Sequence, residues 1–417
     1  MSELIIRGGN RLNGCLSVQG AKNSVLPLLA ATLLTSETCV LHNCPAIRDV
    51  AISCEILNYL GCRVTREGHT VTVNAAGMSR FDIPETLMRQ MRSSIVFLGA
   101  IVSRAKEARM SAPGGCELGN RPIDLHLMAL RKLGVSVDES GGFLACTCLD
   151  LCGCEISLAF PSVGATENIL LASALADGVT VIRNAAREPE IVDLADFLNK
   201  MGADIRRAGE STVVIHGVKH LHGCEHTVIP DRIAAATYLA AAAVTGGDIT
   251  LLSVIPEHIT PILHLFTEMG CFVTAEENTC RLIAPPRLLA AKKVRTMPYP
   301  GFPTDAQAPL MAAAAVAKGT TVFIESIFDS RFKHVAELSR LGADIRTDSR
   351  TAVVCGVDRL TGASVECTDL RGGAALIIAG LAAEGETRIA KLCHIDRGYD
   401  APEEKLTHLG ADVHRTE

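Results

Sequence analysis

Six short segments place charged or polar residues directly ahead of strongly apolar runs, which makes them the natural places to look for chemistry. They read QGAKNS (19–24), RQMRSS (89–94), FPSVGATEN (160–168), IPDRIA (229–234), YPGFPTDAQ (299–307) and CTDLRGG (367–373). Lys22, Arg92, Arg232 and Arg371 supply cations there, and Asp305 and Asp369 supply carboxylates. If each apolar run is a helix, each segment sits at a helix start, where free backbone N–H groups and the positive dipole end favour anions. A second loop set adds Arg48, Arg121, Arg187, Arg331 and Arg397. Arginine suits a bidentate grip on phosphate or carboxylate, so a rim of them points to a polyanionic substrate. For any one residue alone the competing reading is a helix cap or an inter-strand ion pair. The shared position of these segments in a repeat, described below, favours the anion site.

One loop departs from its equivalents. APGGCELGNRP (112–122) is longer than its counterparts and sets Gly114, Gly115 and Gly119 around Cys116. Glycines flanking a reactive group on a lengthened loop are the pattern of a lid. Beside Arg121, the Cys116 thiol is placed to act as nucleophile or proton donor. The other dense cysteine group, Cys146, Cys148, Cys152 and Cys154, lacks the usual Cys-x2-Cys spacing and reads as two strands joined by a turn rather than a zinc site. His126 falls on a helix, where a packed histidine is as good a reading as a ligand. There is no Walker loop, no GxGxxG after a strand and no HExxH, so nucleotide hydrolysis, dinucleotide redox and zincin chemistry lack support.

What positions these residues is a repeat. The phrases LNYLGCRV (57–64), LRKLGVSV (130–137), LNKMGADI (198–205), FTEMGCFV (266–273), LSRLGADI (338–345) and LTHLGADV (406–413) put a glycine at Gly61, Gly134, Gly202, Gly270, Gly342 and Gly410. Apolar residues three apart lie on one helix face, and the following glycine suits the left-handed position that ends a helix. A β-branched residue three places beyond the glycine is expected to open a strand, and alternating pieces such as TVTVNA (70–75) and STVVIHG (211–217) make a hairpin after each helix. Arg48, Arg121 and Arg397 each stand 13 residues before their glycine. Each unit also holds a run apolar on every side, such as LLASALA or LMAAAAVA, which belongs to a buried helix. Every unit is therefore expected to carry two helices and about four strands.

With 417 residues the chain should form about two domains of ~200 residues. The repeats place three units in residues 22–229, including the Cys116 loop, and three in 1–21 plus 230–417. The N-terminal strand pair, around LIIRGG and CLSVQG, completes a sheet of the latter by repeat phase. No linker is rich in Pro, Ser or Gly, which implies a double connection or short hinge, with the substrate in a cleft between the domains. The composition, 48% hydrophobic and 21% charged, is that of a packed globular protein. A net charge of −6 argues against nucleic acid or an anionic membrane as a partner. With no signal-peptide pattern and no long apolar run, a cytoplasmic protein with reduced thiols is expected.

Taken together the residues resemble the enolpyruvyl transferases, in particular the branch that uses UDP-N-acetylglucosamine. The likeness runs through AKNSVLPLLAA (21–31), GGCELGNRPIDLH (114–126), FPSVGATEN (160–168), AAREPEIVDLA (185–195), PGFPTDAQAP (300–309), FDSRFKHVAEL (328–338), TDLRGGAAL (368–376) and HIDRGYDAPEEKL (394–406). It implies an α/β fold of two inside-out α/β barrels. It also implies transfer of the enolpyruvyl group of phosphoenolpyruvate to the 3-hydroxyl of UDP-N-acetylglucosamine with release of phosphate, the first committed step of peptidoglycan precursor synthesis. The reaction serves cell-wall biogenesis, cell shape and division, and needs no cofactor or metal.

By the same resemblance Cys116 protonates C3 of phosphoenolpyruvate or forms a covalent adduct with it. Nearby arginine favours the thiolate, whereas an acid must keep its proton, so both roles stay open. Lys22, Arg121 and Arg397 hold the phosphate, with Asn23 beside them, and Arg371 takes the carboxylate. Asp305 is the general base, and Asp369 polarises or orients the reacting centre. Arg92, Arg121, Pro122, Ile123, Asp124, Leu125, Ser162, Val163, Gly164 and Ile327 contact the nucleotide sugar. Two departures stand out. Gly372 and Gly373 replace bulkier small residues and would loosen the turn beside Arg371, and Phe160 stands where some members carry a basic residue. The rival readings are the sister enzyme acting on shikimate 3-phosphate, which lacks the cysteine lid, and a non-catalytic nucleotide-sugar-binding paralogue. The oligomeric state is left open, a monomer included.

Overall fold

Each repeat glycine ends a helix through the same two backbone bonds. After the helix Arg48–Tyr59, Gly61 has φ of 100°, its amide donates to Asn58 O (3.0 Å), and the Cys62 amide donates to Leu57 O (3.0 Å). This is a complete Schellman motif, which satisfies carbonyls that would otherwise be orphaned. The same pair of bonds recurs at Gly134, Gly202, Gly270, Gly342 and Gly410, all with φ between 90° and 101°. The apolar residue four before each glycine, Leu57, Leu130, Leu198, Phe266, Leu338 or Leu406, is buried and anchors the turn. A strand begins two residues after each glycine, one earlier than expected, as at Arg63–Glu67 and Asp204–Arg206.

The computed structural model describes residues 2–111 and 123–416. Within them lie six four-stranded sheets of one design. In one, Glu107–Ser111 pairs in parallel with Asp82–Ile83 and antiparallel with Phe143–Thr147, which in turn pairs antiparallel with Ser136–Asp138. In four of these sheets the parallel edge strand precedes a buried helix and its neighbour follows it, a β-α-β crossover. The N-terminus supplies missing pieces. Leu4–Arg7 lies antiparallel between Glu386–Ala390 and Asp412–Arg415, and Asn13–Ser17 pairs in parallel with Asp248–Leu252. Glu225–Thr227 in turn pairs with Thr38–His42. Sequence-distant strands thus complete the sheets that the chain's ends leave short.

The described residues resolve into two compact units, which we call the first (residues 20–111 with 123–229) and the second (2–19 with 230–416). Each has its own hydrophobic core. In the second, the helices Arg232–Val244, Thr304–Ala315 and Leu370–Ala382 each pack against the other two. In the first, Phe97–Ala105 packs against both Lys22–Ala31 and Val163–Ser173. Small residues allow this closeness: a Cβ on Gly99 would lie 2.4 Å from the Asn168 carbonyl oxygen. The strands around these helices alternate buried and exposed residues, as in Thr212–His216, so helices are inside and sheets outside. The α/β class with buried helices is the one expected from the repeat.

Candidate functional site

In the second unit, Asp305 and Arg371 come from the first turns of two adjacent buried helices, Thr304–Ala315 and Leu370–Ala382. The Arg371 guanidinium donates to Asp305 Oδ2 (3.1 Å) and to the Tyr399 hydroxyl (3.0 Å). The second oxygen of Asp305 accepts from Arg331 (2.8 Å), which also donates to Thr304 O (3.1 Å). The sequence places Arg331 in the loop set whose arginines form a rim for a polyanionic substrate. It is only 2% exposed, because its charge is matched by Asp305 and its guanidinium lies 5.7 Å from the Phe328 ring centroid. Burial by itself disfavours the Arg371 charge, but the Tyr399 hydroxyl and the Asp305 carboxylate outweigh it and hold the group above its ordinary value. One carboxylate thus holds two buried guanidiniums in fixed orientations, a geometry suited to gripping a planar anion.

Asp369 is the N-cap of Leu370–Ala382, accepting from the Arg371 and Gly372 amides (3.0 and 3.1 Å) and from the Thr368 hydroxyl (3.2 Å). Beside it, His334 is fully buried. Burial pushes its pKa down to about 4, opposed by Asp369 and reinforced by Arg331, so the ring is neutral at pH 7. The two glycines do not leave a loose turn. A Cβ on Gly372 would meet His334 Cβ at 2.9 Å, and one on Gly373 would meet Ile395 Cγ1 at 2.7 Å and Cys367 Sγ at 3.0 Å. The space that larger residues would fill is already occupied. Ile327 is half-buried in a loop that Glu325 orders by accepting from the Ile327 amide (2.7 Å), the Phe328 amide (3.1 Å) and the Thr304 hydroxyl (3.0 Å). Arg397 ends the 3-10 segment Leu392–Arg397 and is half-buried.

In the first unit, Lys22 opens the helix Lys22–Ala31 and pairs with Asp49 at 3.0 Å; their side chains are 9% and 0% exposed. Asn23 is half-buried beside it, and the Ser24 hydroxyl donates to Asp193, whose other oxygen contacts His226 Nε2 at 2.7 Å. Lys200 contacts His226 Nδ1 at 3.1 Å, so a polar chain, buried at Ser24, Asp193 and His226, ties this helix start to the helix Pro189–Lys200. Ser162 caps Val163–Ser173 by accepting from the Ala165 amide (3.3 Å), and Val163 and Gly164 form its first turn. A Cβ on Gly164 would lie 3.0 Å from His126 Cε1, and His126 Nδ1 contacts the Asn168 amide at 2.9 Å; His126 is a packed histidine with a bonded ring. Glu167, on the same helix, has its pKa pushed up to about 8 by burial and then by Glu190 and Glu188. Ile123, Asp124 and Leu125 lead into the helix Asp124–Lys132, and Arg92 opens the 3-10 segment Arg92–Val96 that precedes Phe97–Ala105. Cys116, Arg121 and Pro122 lie outside the described residues.

Of the cysteine group, Cys146 lies in the strand Phe143–Thr147, with its thiol pushed up to about 11 by burial, while Cys152 is exposed. Among the described residues no group of three or more His, Cys, Asp or Glu is arranged to hold a metal.

The structure brings together Asp305, Arg371 and Arg331 in one unit and sets Lys22 on Asp49 in the other. Sequence reasoning missed Asp49, Tyr399, Glu325 and His334. Asp49 reads as an ordinary acid in a helix first turn, and only its position after Arg48 hinted at more. Tyr399 carried a weak signal, as one of four tyrosines, two residues after Arg397.

A sequence model of the EPSP synthase (3-phosphoshikimate 1-carboxyvinyltransferase) family matches residues 6–406. The chain is 51% identical over 415 residues to a UDP-N-acetylglucosamine 1-carboxyvinyltransferase 2 of Caldanaerobacter subterraneus, with 100% of each chain covered. It is 53% identical over 417 residues to a UDP-N-acetylglucosamine 1-carboxyvinyltransferase 1 of Symbiobacterium thermophilum, covering 99% of this chain and 94% of that one. Among solved structures it superposes on the enolpyruvyl transferase NikO from Streptomyces tendae with a TM-score of 0.90, 29% identity, and coverage of 100% and 99%. The EPSP synthase of Acinetobacter baumannii, at a TM-score of 0.77, 20% identity and full coverage of both chains, shares the fold. A family match over nearly the whole length, joined to relatives about half identical from end to end, places the chain in the EPSP synthase, or enolpyruvyl transferase, family.

Proposed function

We propose that the protein transfers the enolpyruvyl group of phosphoenolpyruvate to the 3-hydroxyl of UDP-N-acetylglucosamine, releasing phosphate, in peptidoglycan precursor synthesis. The observation that carries this reading is the full-length identity of about one half to relatives bearing that activity's name. The family model is named for transfer to 3-phosphoshikimate, but the solved EPSP synthase is only 20% identical, so it speaks for the fold and not for that acceptor. A non-catalytic paralogue is disfavoured because Lys22, Cys116, Asp305 and Arg397 are all retained.

The chemistry divides into two steps. C3 of phosphoenolpyruvate gains a proton while the sugar oxygen adds at C2, giving a tetrahedral ketal. The ketal then loses phosphate and a C3 proton to restore the double bond. We assign the phosphate to Lys22, Arg121 and Arg397, with Asn23, and the carboxylate to Arg371, where a buried guanidinium already fixed by Asp305 would lose little freedom on binding. Asp305, in the first turn of the adjacent helix Thr304–Ala315, is assigned the proton of the sugar hydroxyl, and Asp369 the orientation of the reacting centre through its cap. Cys116 is assigned to C3, as acid or nucleophile. Arg92, Pro122, Ile123, Asp124, Leu125, Ser162, Val163, Gly164 and Ile327 are assigned to the nucleotide sugar. Among the described residues no helix is long and apolar enough to cross a membrane. With charged, membrane-impermeant substrates, we assign the enzyme to the cytoplasm.

Phosphate release from phosphoenolpyruvate by the purified protein, with UDP-N-acetylglucosamine, with shikimate 3-phosphate and with neither, tests the reading. Release that requires the nucleotide sugar is expected. Release only with shikimate 3-phosphate would replace the acceptor, and none with either would leave a binding protein.

A further inference from the structure

We propose that Tyr399 is a positioning residue for Arg371, held in that role by Thr237 and Gln19. The proposal rests on the reading of Arg371 as the group that binds the carboxylate of phosphoenolpyruvate. Tyr399 is 3% exposed, and its hydroxyl lies 3.0 Å from Arg371 Nη1 and 2.9 Å from Thr237 Oγ1. A guanidinium can only donate, so the tyrosine oxygen accepts from Arg371. The Thr237 hydroxyl donates to the Ile233 carbonyl (2.9 Å), so the one remaining proton, that of Tyr399, is directed to Thr237. The bonds therefore run one way, from Arg371 through Tyr399 and Thr237 to the backbone of the helix Arg232–Val244. With Asp305 on Nη2, the guanidinium plane is set from two sides, while Nε stays buried with no partner among the described residues.

Core packing buries the tyrosine, which also borders a small apolar cavity lined in part by Tyr238, Ile377, Ile378 and Pro402. Its backbone is clamped as well, since the Gln19 amide donates to Gly398 O (3.0 Å) and accepts from Asp400 N (3.0 Å), bracketing Tyr399 on both sides. The next residue, Ala401, has φ of 41°, a left-handed conformation that a non-glycine residue keeps only where its surroundings impose it. Phenylalanine at 399 would keep the ring and the clamp but break the chain of bonds at its centre.

The test is steady-state phosphate release by the full chain, with KM measured separately for phosphoenolpyruvate and UDP-N-acetylglucosamine, in Tyr399→Phe, Thr237→Val, Arg371→Lys and the Arg371→Lys/Tyr399→Phe double variant. Loss of one hydrogen bond to a charged group predicts about a tenfold rise in KM for phosphoenolpyruvate in Tyr399→Phe, with KM for the nucleotide sugar within about twofold. The double variant should lose little beyond Arg371→Lys, because the two act as one unit. Thr237→Val, which keeps the side-chain shape, should move the same constant in the same direction and decides the matter if Tyr399→Phe does not fold. A Tyr399→Phe or Thr237→Val enzyme whose two KM values move in parallel, or not at all, overturns the proposal. An unchanged KM for phosphoenolpyruvate in Arg371→Lys overturns the assignment of Arg371 itself.

Discussion

Replacing Asp305 by Asn removes one negative charge from between two buried guanidiniums. Arg331 and Arg371 lie 2.8 and 3.1 Å from its oxygens and are 2% and 3% exposed, whereas the Asp305 side chain is 27% exposed. Breaking a buried pair by deleting one partner costs about 3–5 kcal/mol, because the stranded charge stays desolvated. Here solvent reaches the carboxylate, and the asparagine carbonyl can still accept one bond, so about 2–3 kcal/mol is the expected loss. For a cooperative unit of roughly 200 residues, each kcal/mol lowers Tm by about 2–4 °C, giving a fall of about 4–12 °C. Turnover should fall separately, by about 10²–10⁴, if the carboxylate also takes the sugar proton. Calorimetry and phosphate release on the same preparations separate the two effects. An Arg331→Gln partner variant adds a check: the double variant should lose less stability than the sum of the singles, because the second change removes one of the stranded charges. A Tm within about 1 °C of the parent would refute the buried ion-pair argument, and a large Tm fall with unchanged turnover would refute the general-base assignment.

Two other expectations concern stability. Gly373→Ala should destabilise by about 1 kcal/mol: the new methyl would sit 2.7 Å from Ile395 Cγ1, and overpacking of about 1–3 kcal/mol outweighs a gain in helix propensity of somewhat under 1 kcal/mol. Denaturant titration reads it, and a variant more stable than the parent would show that this turn has slack. The Glu167 carboxyl, raised from 4.5 to about 8, keeps its proton in the folded state while the unfolded chain is ionised. Its stabilising contribution is therefore complete below about pH 4.5 and is lost as pH rises through about 8, with a slope approaching ~1.4 kcal/mol per pH unit. Glu167→Gln should accordingly match the parent near pH 5 and exceed it in Tm near pH 9; parallel pH profiles would refute the argument.

The repeat was legible in the sequence because it is made of local rules. A helix face shows in residues three apart, and a helix end shows in a glycine, since both are decided within a few positions. All six glycines adopt the left-handed conformation that the phrase required, and the buried helices are the apolar runs. The segments ahead of those helices were likewise visible as a set, because repeat phase alone groups them.

The contacts that turn those segments into a site were not legible. Asp305 and Arg371 are 66 residues apart, and Arg371 and Tyr399 are 28 apart, so they meet only where adjacent helices pack and a 3-10 turn folds back on them. Arg331 shows the same limit: its type and its place in a loop suggested a rim cation for an anionic substrate, but only the tertiary structure supplied the carboxylate that allows it to be buried. Gly372 and Gly373 are the converse case, a pair that looked loose in one dimension and is tightly surrounded in three, by His334, Ile395 and Cys367. Residue type and repeat phase determined which helix starts carry charge. Which charges neutralise one another was decided by packing, because the energy of a charge depends on its neighbours and its burial, and neither is a local property of the chain.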